Sequence, residues 1–342
     1  MRKKLRVLVL VHEDLVPPES IEGLSEKEIA PWKTEYDVTV TLQDVGHDVL
    51  VLGVGSDLGV LRSAIESFRP HITFNLLEEF HGVAVYDQHV VSYLELMKRR
   101  YTGCNPRGLM LAHDKALSKK ILAFHRVRSP GFAVLPQGRK VRVPRALRYP
   151  LLVKSLTEEG SVGIAKASLV NDEEQLRERA EFVHRQLGTD VIAERFIEGR
   201  ELYVGVTGNL RLQTFPIWEL LFTNVEDQVP LIATAKVKWD LEYQKKLGVT
   251  TRAAKDLAPA LQQKILRICK RSYRILNLSG YARIDLRLTE EGAIYVLEAN
   301  PNPQLSYGED FAESAEASGL SYEDLLQRIL TLGLSYRAHW QT

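Results

Sequence analysis

The stretch YARIDLRLTEEGAIYVLEANPNP, residues 281–303, predicts a β-hairpin with charged groups on one face. Two runs of strand-forming residues flank a turn of sequence TEEG. Because side chains of a strand alternate between its faces, Arg283, Asp285 and Arg287 share one face of the first strand, and apolar residues occupy the other. The hairpin therefore combines a buried face with a charged one.

The second strand of the hairpin ends in two oxygen-bearing side chains. Glu298 and Asn300 share a face and follow the apolar run Ile294–Leu297. Facing Asp285 on the neighbouring strand, they suit Mg²⁺ ions carried by nucleotide phosphates. The alternative is a solvated, charged face of a surface strand. The end of a buried strand is a costly place for an unpaired carboxylate, which favours the metal site.

A second candidate site lies in LLVKSLTEEGSVGIAKA, residues 151–167. Lys154 ends an apolar strand, and the loop that follows contains Gly160, Ser161 and Gly163. Glycines allow backbone N–H groups to close over phosphate oxygens, and the lysine supplies the opposite charge. A plain hairpin loop explains the same pattern equally well.

A third candidate is AERFIEGRELYV, in which Glu194 ends a predicted strand and Glu201 follows seven residues later. Either carboxylate could accept hydrogen bonds from an adenine amino group or from ribose hydroxyls at the edge of a pocket. Spacing alone favours the alternative, that both are solvated glutamates.

Alternating strands and helices at the start of the chain predict a parallel sheet covered on both faces, a Rossmann-like lobe. Within it, GVGSDLG, residues 53–59, partly resembles a dinucleotide fingerprint, but an ordinary strand-to-helix turn is favoured because its third glycine is one residue late. The predicted elements are strands Leu5–Val11, His47–Val54 and His71–Asn75 and helices Lys33–Val45 and Asp57–Phe68.

The remainder predicts two more lobes, and SPG, residues 129–131, marks a linker before the first strand of the second lobe. The expected lobes span residues 1–105, 106–205 and 206–342. Predicted elements are strands Pro150–Lys154, Val162–Ala167 and Asp190–Ile197, helices His113–Phe124, Asp172–Leu187, Leu257–Leu276 and Ser321–Thr331, and the hairpin Gly280–Asn300.

Composition narrows the function classes. Forty-five basic and forty-four acidic residues give a net charge of +1, so neither nucleic acid nor an anionic membrane is an expected partner. The apolar start is interrupted by His12 and acidic residues, which indicates a buried strand rather than a signal peptide. Cys104 and Cys269 have neither metal-type nor redox-type spacing. With no apolar run of membrane-spanning length, a cytoplasmic protein is expected.

Five motifs in order resemble the D-alanine:D-alanine ligase branch of the ATP-grasp enzymes. They are HDKALSKKILAF, YPLLVKSLTEEGSVGIAKA, VIAERFIEGREL, GYARIDLRL and YVLEANPNP, within a resemblance that covers residues 70–332. The resemblance implies an α/β protein with α+β ATP lobes: an ATP-grasp fold behind an N-terminal Rossmann-like lobe. It also implies ATP bound between the second and third lobes.

Site roles follow from the resemblance by motif position. Asp285, Glu298 and Asn300 would hold two Mg²⁺ ions, with Mn²⁺ as an alternative, and Arg283 would stabilise charge on the transferred phosphoryl group. The run ATAKVKWD resembles a family stretch with a phosphate lysine and favours Lys238 over Lys236. Ser161 would act in catalysis together with Arg283 and Lys238. The other implied contacts are Lys115, Lys154 and Gly160 at the phosphates, Glu194 and the backbone of Ile197 at the adenine, and Glu201 at the ribose.

The implied reaction joins a small-molecule carboxylate to an amine, such as two amino acids or short peptides. ATP phosphorylates the carboxylate, and the amine then attacks the acyl phosphate. Two alternatives are an ATP-grasp kinase of small molecules and an ATP-binding regulatory protein without catalysis. The charged residues for the γ-phosphate argue against the latter. The sequence leaves the oligomeric state open, with a homodimer as one alternative.

Departures from the family pattern fall on the substrate loops. VHEDLVPPES stands where the ligases have an HEVS-type segment, so Glu13 only approximates their glutamate. In PNPQLSYGEDFAES, Glu309 takes the place of a serine that helps to hold the acceptor's carboxylate. Since two carboxylates repel, a different acceptor is expected. Ser306 and Tyr307 are further candidates for this pocket, and the alternative is that Glu309 points to solvent.

Overall fold

The computed structural model describes residues 4–142, 147–158, 164–224, 234, 237 and 240–338. Its first sheet is parallel, with the strand order β2-β1-β3. Strand β1 is buried on both faces, as is typical of parallel sheets covered on both sides: Val7 and Val9 enter one core, and Leu8 and Leu10 enter another. The strands are β1 (Arg6–His12), β2 (Asp48–Val54) and β3 (Ile72–Asn75).

Short and regular helices surround this sheet. They are α1 (Glu26–Ile29), α2 (Lys33–Asp44), α3 (Leu58–Phe68) and α4 (Asp87–Leu96). The segment at residues 53–59 is a strand-to-helix turn, where the Asp57 side chain accepts a hydrogen bond from the backbone of Gly59 and caps α3. Helix α4 was missing from the predicted elements.

The second sheet is antiparallel, with the order β4-β7-β5-β6. The predicted strand Val162–Ala167 is wrong in its described part, because residues 166–168 form a 3₁₀ turn and the strand that returns along β5 is Leu169–Val170. Its elements are β4 (Phe132–Leu135), β5 (Leu151–Ser155), β6 (Leu169–Val170), α7 (Glu173–Leu187) and β7 (Val191–Arg195), preceded by α5 (Pro106–His113) and α6 (Lys115–Phe124).

The third sheet has the order β11-β10-β8-β12-β13, with β9 beside β8. The predicted hairpin is confirmed as β12 and β13, and the sequence analysis missed the other four strands. The expected lobe boundary at residue 205 lies inside β8. The elements are β8 (Arg200–Thr207), β9 (Gln213–Thr214), β10 (Trp218–Phe222), α8 (Leu241–Leu247), β11 (Val249–Ala253), α9 (Pro259–Ile275), β12 (Tyr281–Leu288), β13 (Ile294–Pro301), α10 (Asp310–Glu316) and α11 (Tyr322–Ser335).

One apolar core reaches from the parallel sheet to the third sheet. It joins Leu8 and Leu10 of β1 to Val204 of β8 and Ile284 of β12. Both cysteines are buried free thiols, and burial raises the pKa of Cys104 to about 12. Within the part of the chain that the structure describes, none of the helices has the length and apolar composition that a membrane crossing requires.

Candidate active site

The polar face of the hairpin is organised around Asp285. Arg283 holds this carboxylate with two hydrogen bonds, from Nε to Oδ1 at 2.8 Å and from Nη2 to Oδ2 at 3.0 Å. Asn300 donates to the same Oδ2 at 2.9 Å. Burial alone disfavours the charged guanidinium, but Asp285 and Asp310 outweigh it and raise the pKa of Arg283. Arg283 therefore stays charged. Its guanidinium carbon lies 4.6 Å from the centre of the Tyr203 ring, in a cation–π contact.

The strand register brings the three predicted metal-binding side chains together. Asp285 lies opposite Glu298, and Arg283 lies opposite Asn300. Two carboxylates and one amide offer oxygen ligands, which Mg²⁺ prefers. Among the described residues, no three His, Cys, Asp or Glu side chains form a metal site by themselves. The oxygen set fits an ion that takes its remaining ligands from bound phosphates and water.

A chain of alternating charges crosses from the second sheet to the third. Lys154 Nζ lies 3.6 Å from Glu194 Oε2 and 3.3 Å from Glu298 Oε2. Lys119 Nζ, from α6, lies 3.3 Å from Glu194 Oε1. We call these four residues the intersheet cluster. Burial disfavours the charge of Lys154, but Glu194 and Glu298 outweigh it and raise its pKa. Two lysines thus balance two glutamates.

The cleft above this cluster is a pocket between β5, β7, β12 and β13. Its lining includes Lys154, Glu194, the segment 195–197, Asp285 and Glu298. Ile197, which the resemblance assigns to the adenine, is among these lining residues. The cleft combines apolar walls with a few converging charges, as ligand pockets do.

Glu201 also lines this pocket and already has two partners. Arg287 Nη2 donates to its Oε2 at 2.6 Å, and the Tyr203 hydroxyl donates to its Oε1 at 2.8 Å. Each carboxylate oxygen has a second lone pair, so hydrogen-bond acceptor capacity remains. Arg287 and Tyr203 fix the orientation of this carboxylate.

Lys115 lies at the entrance to the predicted glycine loop. Its Nζ donates to the Glu158 carbonyl at 2.6 Å, and its side chain is buried at the start of α6. Four predicted site residues lie outside the described residues: Gly160, Ser161, Lys236 and Lys238.

The loop between β13 and α10 is tied to helix α2. The hydroxyl groups of Ser306 and Thr34 lie 2.6 Å apart. Lys33 Nζ donates to the Tyr307 carbonyl at 2.7 Å, and the Tyr307 N–H donates to Asp37 at 2.9 Å. Ser306 is therefore buried in this contact, whereas the Tyr307 side chain is 56% exposed.

Carboxylates outnumber cations beside this loop. We call Lys33, Asp37, Glu309 and Asp310 the loop cluster. Glu309 is exposed at the N-terminus of α10, yet the protein atoms crowded around its carboxyl group and the neighbouring Asp310 raise its pKa. Asp310 lies 3.7 Å from Arg283, which is already held by Asp285.

Glu13 belongs to the edge of the parallel sheet. It forms a 3₁₀ turn after β1, and its side chain fills the space that a side chain at Gly55 would need. The neighbouring His12 lies 3.3 Å from Glu79. Glu13 thus sits where the carboxyl ends of parallel strands form a crevice, the usual ligand site of such sheets.

Lys119, Tyr203 and Lys33 were not among the predicted site residues. Lys119 follows Lys115 by four residues, and this spacing places both on one face of a helix. That signal was present in the sequence. The contact of Tyr203 with Arg283 depends on the pairing of β8 with β12, and that of Lys33 depends on a distant loop, so the local sequence carries no signal for either.

Comparisons with known proteins agree with this geometry. The sequence profile of the family described as D-ala D-ala ligase C-terminus matches residues 115–331. The D-alanine–D-alanine ligase of Syntrophotalea carbinolica is 31% identical over 326 residues, which are 92% of this chain and 94% of that protein.

Solved structures share the fold. The D-alanine–D-alanine ligase of Bacillus anthracis complexed with ATP has a TM-score of 0.75 at 20% identity, over 96% of this chain and 97% of that one. The VanG D-Ala:D-Ser ligase of Enterococcus faecalis has a TM-score of 0.69 at 17% identity, over 97% and 100%. These likenesses confirm the predicted ATP-grasp architecture.

Fold and cleft thus define an ATP-dependent ligase that forms carbon–nitrogen bonds. Within that class, the chain belongs to the D-alanine–D-alanine ligase family. This family uses ATP and Mg²⁺ and acts on small amino-acid substrates. The predicted ligase is confirmed, and the kinase and the regulatory protein lose their support.

Proposed function

We propose that this enzyme ligates a small carboxylic acid to an amine whose binding group, unlike that of D-alanine, is not a carboxylate. One observation carries the proposal. Asp285 and Glu298 lie opposite each other on paired strands. The loop that follows the second of these strands contributes Glu309 and Asp310 to the loop cluster, in which one lysine accompanies three carboxylates. Arg283, which holds Asp285 and lies 3.7 Å from Asp310, links the proposed phosphate-binding end to this acidic cluster.

ATP would bind with its phosphates at the intersheet cluster. Lys154 is the phosphate lysine of this proposal, and Lys115 joins it from the entrance of the glycine loop. Asp285, Glu298 and Asn300 would hold one or two Mg²⁺ ions, which supply charge neutralisation at the phosphates. Gly160 and Ser161 would close over them, and Lys236 or Lys238 would add a further contact.

Glu194 would accept a hydrogen bond from the adenine amino group. Its Oε1 is buried and, despite the ion pair with Lys119, has no hydrogen bond of good geometry among the described residues. A buried acceptor without a donor is costly, so a donor from the ligand would stabilise it. The backbone at Ile197 would flank the adenine, and Glu201 would accept a ribose hydroxyl.

The proposed chemistry has two steps. The substrate carboxylate takes the γ-phosphoryl group, and the amine then attacks the acyl carbon and releases phosphate. Arg283 stands next to the metal-binding carboxylate and would stabilise negative charge as it develops on the transferred group and on the tetrahedral carbon. Lys154 would hold the phosphates in line, so positioning and electrostatics are the protein's contribution.

The arrangement into three lobes is part of this proposal. The first boundary stays near residue 105. We place the second before β8, near residue 199, because β8 pairs with β12 along its whole length. A homodimer is the oligomeric state we propose, as symmetric dimers are the commonest assemblies.

Charge at the loop cluster supports the different acceptor. Lys33 is bound to Asp37 at 2.6 Å, and Arg283 is bound to Asp285. Each cation is thus already paired with a carboxylate of the protein, which offsets its charge before any ligand binds. Burial first, and the neighbouring Asp310 second, raise the pKa of Glu309, although Lys33 and Arg283 oppose the shift. A neutral amide or a cation would meet these carboxylates favourably. Tyr307 and Ser306, in the loop before Glu309, are further candidates for contact with the acceptor, and Glu13 is the candidate for the amino group of the first substrate.

The reaction is tested by measuring phosphate and ADP release from Mg²⁺-ATP with pairs of D- and L-amino acids, dipeptides and small amines. Mass spectrometry of each mixture identifies the product. We expect phosphate release that requires two compounds and yields a condensed product. A phosphorylated single substrate without free phosphate would contradict the ligase reaction.

The acceptor is tested with D-alanine and D-alaninamide, which differ only in the carboxylate. We expect the wild-type enzyme to have the higher kcat/KM with the amide. Glu309→Ser should shift the ratio toward D-alanine by about fivefold, since one charge contact near a surface is worth about 1 kcal/mol. Glu316→Ser, exposed on the same helix, is the matched control. An unchanged ratio in Glu309→Ser would sink the idea.

A further inference from the structure

Lys119 is the most deeply buried charged side chain near the cleft, with 1% of its surface exposed. It lies on α6, one turn after Lys115. Removing an ammonium group from water costs several kcal/mol unless partners compensate. Burial lowers the pKa of Lys119, and the nearby Glu194 opposes that shift. Lys119 has two such partners, one in the backbone and one carboxylate.

Its first contact is the backbone of the metal-binding strand. Lys119 Nζ donates to the Leu297 carbonyl at 2.5 Å. Leu297 is the extra residue of a β-bulge, because Asp285 pairs with Glu298 whereas the next residue, Leu286, pairs with Val296. The lysine therefore supplies a donor to the residue that the β12–β13 ladder skips.

The bulge changes which side chains of β13 reach the cleft. Val296 and Ala299 are both buried although they are three residues apart. Between them, Leu297 and Glu298 both line the pocket. Regular alternation from Val296 would turn Glu298 toward the buried core. The bulge is therefore the feature that sets Glu298 on the face of Asp285 and Asn300.

Its second contact is Glu194, on the opposite wall of the pocket, at 3.3 Å. One ammonium group thus holds the strand with the candidate metal ligand and the carboxylate proposed for the adenine. Lys119 itself lies on helix α6 and so belongs to neither of the two sheets whose residues it contacts.

We propose that Lys119 is a positioning residue, which holds the Leu297 carbonyl and Glu194 so that Glu298 faces Asp285 and Glu194 faces the nucleotide. The inference rests on the proposed nucleotide site. It assigns to Lys119 no contact with ATP or with the reacting atoms. Its effect reaches the reaction through the two residues it holds.

The test compares Lys119→Met with Lys120→Met, whose wild-type lysine is exposed on the same helix. We expect Lys119→Met to raise both the KM for ATP and the Mg²⁺ concentration for half-maximal rate about 10- to 100-fold, the usual cost of losing a partner of a metal ligand. The KM values of the two other substrates should stay within about twofold. Lys120→Met should match the wild type.

A purely structural lysine would behave differently. It would lower the melting temperature of the variant but leave the ATP and Mg²⁺ dependences of the folded enzyme unchanged, and that result overturns the inference. If Lys119→Met does not fold, Lys119→Gln serves, since its amide retains a donor for Leu297. We then expect a smaller rise in both constants, and unchanged constants overturn the inference. Wild-type enzyme that fails to bind Mg²⁺-ATP overturns the proposed nucleotide site instead.

Discussion

The intersheet cluster and the loop cluster differ in how their charges are balanced. In the intersheet cluster, two lysines alternate with two glutamates, and Lys119, Lys154 and Glu194 are nearly buried. In the loop cluster, one lysine faces three carboxylates close to solvent. Buried charges require partners, whereas exposed ones tolerate an excess of one sign. This difference in charge balance is what we expect if the intersheet cluster serves the proposed nucleotide site and the loop cluster serves the proposed acceptor site.

Phe311→Ala is expected to have the largest effect and to show whether the two ends are independent. Phe311 is 2% exposed, and its ring centre lies 5.3 Å from that of Phe215 and 5.6 Å from that of Tyr281. Removing a buried ring should lower the free energy of unfolding by about 3–5 kcal/mol in urea denaturation. Because Phe311 anchors α10, substrate KM values should rise while the ATP KM stays unchanged.

The control for this variant is Phe124→Ala, because Phe124 is 84% exposed and its loss should change the stability by less than about 0.5 kcal/mol. An equal rise of the ATP KM in Phe311→Ala would mean that the two ends are coupled through the third sheet.

Lys154→Met should upset the charge balance of the intersheet cluster. It leaves Glu194 and Glu298 without their shared partner and removes the charge proposed for the phosphates. We expect kcat/KM for ATP to fall about 10²–10³-fold, the usual cost of one group that stabilises developing charge. ADP release under initial-rate conditions measures this. Lys166→Met, at an exposed lysine of the same sheet region, should retain the wild-type rate. A wild-type ATP dependence in Lys154→Met would remove Lys154 from the site.

Much of this architecture follows from local sequence patterns. Alternation in residues 281–300 predicts the hairpin and the shared face of Arg283 and Asp285, and the structure agrees on both. The three strands and two helices predicted for the first lobe match the observed elements to within one residue at each end. Period and capping are properties of neighbouring residues, so one sequence is enough to recognise them.

The features that local pattern missed depend on distant partners. Lys119 acts on Leu297, 178 residues away, and the bulge at that residue exists only relative to β12. The return strand of β5 was misplaced because a two-residue strand gives no alternation to detect. The loop cluster likewise joins α2 to a loop more than 270 residues later. Such contacts are consequences of the fold and have no local signature.

Glu35→Gln tests how a buried carboxyl group of helix α2 affects stability. The same helix carries Lys33 and Asp37 of the loop cluster. Burial, opposed by the Glu35 backbone N–H and assisted by Glu78 and Asp37, raises the pKa of Glu35 from 4.5 to about 7. The folded state therefore holds a proton that the unfolded state releases, and stability falls as the pH rises from 4.5 to 7. At pH 8 this costs about 3 kcal/mol.

The amide of Glu35→Gln carries no charge at any of these pH values. We expect urea denaturation at pH 8 to show the variant up to about 3 kcal/mol more stable than the wild type, with little difference near pH 4.5. Glu22→Gln, at an exposed site of the same lobe, should be neutral at both. A constant difference across the pH range would point to packing rather than to titration.

Lys33→Met should have the smallest effect and should act on the loop cluster alone. Lys33 is 37% exposed and bridges Asp37 at 2.6 Å and the Tyr307 carbonyl at 2.7 Å. Partly exposed ion pairs contribute about 0.2–1 kcal/mol, so we expect the substrate KM values to rise no more than about fivefold. The ATP KM should not change, and Lys27→Met, on the exposed helix before α2, should behave as wild type.

Steady-state rates at low and high salt would separate two roles of Lys33. If the lysine only ties the loop to α2, any acceptor loses affinity equally. If it also offsets the three carboxylates, D-alanine should lose more than D-alaninamide, and high salt should reduce that difference because screening weakens exposed charges.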